Sequence, residues 1–204
     1  PKPKVAGLDD AAVATVTFGD GDLDFAIPGM SDVMPYPSSV FSQLSRSQLE
    51  RYRAAWSTEI EEIIEKFNPD VVHCHHLWIV ASLLKDVAPS TPVVNHCHAT
   101  GLRQMLLCPH IAADVRGALL RNDHFLALHE AQKVSLVNAL EIAPERVNVV
   151  CMKWGTLYGP DYVNRLRAMV ARHLARPHRF MCFTDDAAGL RGDVETAALP
   201  PITI

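Results

Sequence analysis

The chain has no excess of positive charge: 19 lysines and arginines stand against 23 aspartates and glutamates, for a formal net charge of −4 with histidine neutral. That balance leaves no electrostatic footprint for nucleic acid or an acidic membrane, so a small-molecule partner is expected instead. No apolar run approaches the roughly 20 residues that span a bilayer, and no charged-then-apolar leader opens the sequence, which starts at Pro1; no transmembrane segment is expected. Cysteine is scarce and odd in number at 5, without Cys-x-x-Cys spacing. Thiols inside apolar runs behave as small hydrophobes, which points to a reducing cytoplasm. Aromatics reach only 7%, yet 49% of the 204 residues are hydrophobic, enough to bury the core of one domain.

Histidine is what the chain does have, and it is unevenly placed. Two runs dominate: Asp70-Val71-Val72-His73-Cys74-His75-His76 and Pro92-Val93-Val94-Asn95-His96-Cys97-His98-Ala99-Thr100-Gly101. Each is a β-branched stretch that ends in histidines, the layout of parallel strands delivering polar groups to a crevice at their carboxyl edge. By the two-residue strand period His73 and His75 share one side of their strand, as His96 and His98 do of theirs, so the four converge if the registers agree.

The remaining sequence alternates strand and helix patterns. A weak strand over 13–18 leads through Gly19-Asp20-Gly21-Asp22 to an apolar stretch over 23–27 and an irregular segment. Ser47-Gln48-Leu49-Glu50 reads as a capping box. Leu49, Tyr52, Trp56, Ile60, Ile63 and Phe67 then form the apolar stripe of a long helix that ends at Asn68-Pro69. Strands are expected over 70–75, 92–97, 124–128, 146–152 and 179–183, with helices over 78–87, 109–120 and 129–140. A further helix starts at Pro160 and carries Tyr162, Val163, Leu166, Met169, Val170 and Leu174 on one face. The alternation specifies a Rossmann-like α/β fold: a doubly wound, mainly parallel sheet with helices on both faces.

Residues from about 25 to 150 resemble the amino-terminal domain of a retaining family-four glycosyltransferase, of GT-B architecture with two Rossmann-like halves. The stretches that carry the resemblance run from Asn68-Pro69-Asp70 to Leu77-Trp78, from Pro92-Val93-Val94 to Gly101-Leu102-Arg103, and through Phe125-Leu126-Ala127-Leu128-His129-Glu130. The resemblance implies transfer of a sugar from a nucleotide diphosphosugar to an acceptor, with no cofactor and no divalent metal. It places His98 beside the reacting sugar and Arg103 near the diphosphate or acceptor, as the catalytic pair. His73, His75, His76, His96, Gly101 and Glu130 are the expected substrate contacts. Such chemistry needs cations or oriented N–H groups where charge builds on the leaving phosphate. Arg103 and the helix start behind Gly101 supply them, and an imidazole at 98 suits a sugar hydroxyl or a proton shuttle.

Residues 1–150 are thus expected as the GT-B-like domain, without that family's usual first strand. From Cys151-Met152-Lys153-Trp154-Gly155 to Thr184-Asp185-Asp186 the sequence resembles the opening strand, helix and strand of GT-A nucleotide-diphosphosugar transferases. Residues 151–204 are therefore expected as a βαβ extension of the same sheet, with Lys153, Asp185 and Asp186 as further substrate contacts. A homodimer is one expected assembly, and a partner chain would supply the family's nucleotide-binding half. Plainer readings stand beside these: histidines that are structural, a Thr184-Asp185-Asp186 turn and cap cluster, and a non-catalytic α/β domain. His73-Cys74-His75 also resembles the His-x-His pair of amidohydrolases, where imidazoles share zinc, although such a barrel needs about 250 residues.

Overall fold

Short β-branched runs form the strands here, and longer runs with helical apolar spacing form their cover. The computed structural model describes residues 9, 12–31, 34–173 and 179–199. Two-residue strands β1 (Pro28–Gly29) and β2 (Ser39–Val40) pair in parallel as a small sheet of their own. The main unit runs α1 (Arg46–Phe67), β3 (Val72–His75), α2 (Ile79–Val87), β4 (Val93–His96), α3 (Thr100–Leu107) and α4 (Pro109–Leu119). It continues with β5 (His124–Ala127), α5 (Glu130–Leu140), β6 (Val147–Lys153), α6 (Pro160–His173), β7 (Phe180–Thr184) and β8 (Glu195–Ala198).

β3 to β8 form one sheet in consecutive order, each neighbouring pair parallel. This is the expected Rossmann-like α/β class. Pairing of Phe125 with Val147 and of Val149 with Phe180 carries the sheet straight through residue 150. Consecutive order has a further consequence: crossovers of one hand that always step the same way leave their helices on one side. Val93, Asn95, Phe125, Ala127, Val147, Val149, Phe180 and Cys182 are buried. The alternate residues His73, His75, His124 and Arg179 are exposed, and Val94, His96, Leu126, Val150, Met181 and Phe183 are half-buried. Among the described residues, the close-packed cover expected on both faces is thus found on one, and the histidines lie on the other.

Several boundaries differ from the sequence reading. α1 starts earlier than the Ser47 signal, because Ser45 is the cap. Its Oγ accepts from the Gln48 N–H at 3.2 Å while Gln48 Oε1 accepts from the Ser45 N–H at 2.9 Å. Glu50 pairs with Arg46 instead, at 2.9 Å. On α1, Tyr52 and Ile60 are buried, Trp56 and Ile63 half-buried, and Phe67 exposed. The segments 13–18 and 23–27 form no strands; Phe18 and Leu23 share a single bridge, and the Thr17 N–H and hydroxyl both donate to Asp22 Oδ2 at 2.7 Å. This early segment meets α1 through aromatics: the Phe18 ring lies 6.0 Å from Phe25 and 6.1 Å from Tyr52. β8 and a separate α3 are additions to the expected elements, and Leu174 lies outside the described residues.

Candidate functional site

The registers agree. β3 and β4 pair so that His75 stands opposite His96, and the strand period turns His73, His75 and His96 to the same open face. Past β4, the Cys97 N–H donates to the Leu126 carbonyl at 2.9 Å, which fixes the exit of the strand and the start of His98. Across the gap, the His76 N–H donates to the His96 carbonyl at 3.2 Å. His76 and Ala99 both take positive φ, 66° and 52°. Non-glycine residues seldom adopt such angles, and strain of this kind gathers at functional loops.

Five imidazoles result in one cluster. His75 Nδ1 is 2.8 Å from His98 Nε2, and His76 Nδ1 is 3.0 Å from the Thr100 hydroxyl. Ring centroids are 4.5 Å apart for His96 and His98, 4.6 Å for His73 and His75, and 4.9 Å for His76 and His98. Burial, then the charge that neighbouring imidazoles would carry, pushes His96 down to about 4. The same two causes, burial first, lower His73, His76 and His98. These four rings are therefore kept neutral near pH 7, able to accept a proton or a hydrogen bond.

The other expected site residues are distributed as follows. Arg103 is exposed in the first turn of α3, its N–H donating to the Ala99 carbonyl at 3.0 Å. No side chain caps α3 at Ala99; the Thr100 N–H at its start donates to the His98 carbonyl. Gly101, expected against a ligand, is buried against protein instead: a Cβ there would stand 2.6 Å from the Leu77 carbonyl oxygen. Only glycine lets α3 pack this close to the β3–α2 loop. Glu130 opens α5 at the same carboxyl edge; both its carboxylate oxygens are shielded and lack a hydrogen-bond partner among the described residues, in the field of the buried Lys133 ammonium. Lys153 is buried on the helix-covered face and donates to the Asp186 carbonyl at 3.0 Å. Asp185 Oδ2 accepts from the Gly155 N–H at 2.8 Å and Asp186 Oδ1 from the Ala188 N–H at 2.8 Å. These three therefore tie the β6 and β7 exits together rather than joining the histidines.

Sequence reasoning overlooked two features. Thr100, the partner of His76, lines with it a cavity of about 430 Å³ whose other walls include Met30, Tyr36 and Trp56; the hydroxyl directly before Gly101 was the available signal. A second cavity, of about 480 Å³, lies among Met152, Trp154, Leu157, Tyr158 and Tyr162. The four-residue spacing from Trp154 to Tyr158 to Tyr162 was its signal.

Residues 11–151 match the family model of Glycosyltransferase Family 4. No curated protein matches the chain. Two solved structures are similar at 11% identity and a TM-score of 0.35 each: the UDP-GlcNAc 2-epimerase from Neisseria meningitidis bound to UDP-GlcNAc, and the UDP-N-acetylglucosamine 2-epimerase from Rickettsia bellii. The first comparison covers 80% of this chain and 59% of the epimerase, the second 84% and 56%, so this chain spans less than two thirds of either. No helix among the described residues is long and apolar enough to cross a membrane. The histidine-bearing strand ends, the loop into α3 and the passage from β5 into α5 all fall within the matched residues, and the chain belongs to Glycosyltransferase Family 4.

Proposed function

We propose that this chain is the acceptor-side domain of a glycosyltransferase that moves a sugar from a nucleotide diphosphosugar to an acceptor hydroxyl. The observation that carries the reading is the contact of His75 Nδ1 with His98 Nε2 at 2.8 Å, inside the family-matched residues. It fixes the rotamer of the His98 ring at the mouth of the crevice, where a neutral imidazole can hydrogen-bond a sugar hydroxyl or take up its proton. Arg103 and the uncapped start of α3 would stabilise charge on the departing diphosphate. The cavity beside His76 and Thr100 would take the acceptor, with the Thr100 hydroxyl orienting the His76 ring.

Calorimetric titration of the chain with uridine and guanosine diphosphosugars tests this reading. Saturable binding that Arg103→Ala abolishes supports it, and absence of binding at millimolar ligand retires it for this chain. One observation favours a second reading, a domain that folds but transfers nothing: Lys153, Asp185 and Asp186 are consumed in internal hydrogen bonds. Under that reading residues 151–199 extend the sheet and contribute nothing to a donor site.

A further inference from the structure

We propose that His73, His75 and His96 form a binding site for a divalent transition-metal ion, zinc(II) or a similar borderline ion, on the open face of the sheet. The site does not depend on the sugar-transfer reading. One ligand atom from each of these residues lies within 4.8 Å of the others. Zinc–nitrogen bonds of 2.0–2.1 Å put tetrahedral donors roughly 3.4 Å apart, so the rings would have to close in on the ion from separations of up to 4.8 Å. The parallel register supplies the geometry: two imidazoles two residues apart on β3, and a third across from the second on β4.

Two further observations point to a ligand. His96 Nε2 is shielded from solvent and has no hydrogen-bond partner among the described residues, a costly arrangement that a metal bond would relieve. His75 has its Nδ1 engaged by His98 Nε2 at 2.8 Å. In the tautomer where His75 donates from Nδ1, its Nε2 lone pair is free for a metal, and His98 serves as the outer partner that orients a ligating imidazole. Imidazole nitrogen selects zinc, nickel, copper or iron over magnesium or calcium, which prefer oxygen. His73 and His75 are exposed, so an ion has a path in. Cys74 between them contributes nothing, since it lies on the opposite face and burial holds its thiol up at about 12.

The test uses the tag-free chain, stripped with a chelator and titrated with zinc chloride by calorimetry, with nickel and cobalt chlorides as parallel arms. One equivalent of zinc is expected to bind. His73→Ala and His96→Ala should each weaken it at least about tenfold, in line with what ligand-shell changes cost. His110→Ala, at an exposed histidine of α4, should leave it unchanged. Cobalt should give visible absorption that His96→Ala removes. Circular dichroism checks that each variant folds, and the exposed position of His73 keeps the test decisive if the His96 variant does not. Absence of saturable binding, or one-equivalent binding that survives His73→Ala, overturns the proposal.

Discussion

The carboxyl edge of the sheet ends in two different ways at β3–β4 and at β6–β7. At the first, imidazoles face one another on the open side of the sheet, and His96 keeps a shielded nitrogen with no partner. At the second, Lys153 and the Thr184 hydroxyl both donate to the Asp186 carbonyl, at 3.0 and 2.8 Å, while Asp185 and Asp186 accept from backbone N–H groups. Both ends carry polar and ionisable residues after a β-branched or aromatic run, and both lie along one edge. They differ in whether those groups are spent. A turn that satisfies its own donors and acceptors is structure; a cluster that leaves an atom unsatisfied and holds its rings neutral is where a ligand has something to gain.

Replacement at the two ends should separate them most in activity. Under the proposed sugar transfer, His98→Ala is expected to lower kcat/KM about a hundredfold, the usual scale for losing a proton-transfer or positioning imidazole, whereas Asp185→Ala should leave it unchanged. Equal losses in a transfer assay would erase the contrast. Next in size is packing. Gly101→Ala drives a Cβ against the Leu77 backbone and should cost about 1–3 kcal/mol of stability in urea denaturation, as overpacking does. Gly159→Ala, at the second end and in open space, is the baseline.

The two ends should also fail at different pH. His96 titrates ordinarily at 6.5 but at about 4 in the folded chain, so between those values the unfolded chain holds a proton that the folded one refuses. The stability it contributes is full above 6.5 and is lost as pH falls toward 4. Asp185 is lowered from 3.8 by the Gly155 N–H, so its contribution is full above 3.8 and fades only in stronger acid. Melting temperature against pH should show a larger loss below 6.5 in the native chain than in His96→Gln, which keeps the smaller share owed to the lowered His73, His76 and His98. The smallest effect is expected for Thr184→Val, which removes the hydroxyl that bonds the Asp186 carbonyl and N–H. It should cost roughly 1 kcal/mol in thermal unfolding and leave zinc binding untouched.

Much of this arrangement was readable from residue order. Strands β3 to β7 fall within a residue or two of the expected ranges, and the two-residue period put the histidines on common sides. What periodicity does not contain is register, and the meeting of His75 with His96 depends on it. Ser45 and Ser47 each begin a serine-x-x-Gln/Glu pattern, and local chemistry alone does not choose between overlapping caps. Gly101 looked like an opening for a ligand because sequence shows a missing side chain and not what fills its place. β8, Glu195-Thr196-Ala197-Ala198, has no apolar alternation; edge pairing to β7 makes it a strand. The one-sided cover follows from strand order, which a strand-and-helix count leaves open.

That strand order has a kinetic side. Because each strand from β4 onward pairs with the strand immediately before it in the chain, no step waits for a distant segment to arrive, and the loop-closure penalty stays small at each addition. The sheet can be completed unit by unit in the direction of synthesis, each finished unit templating the next. The histidine pocket, built from its first two strands, would then be assembled before β7 and β8 have left the ribosome.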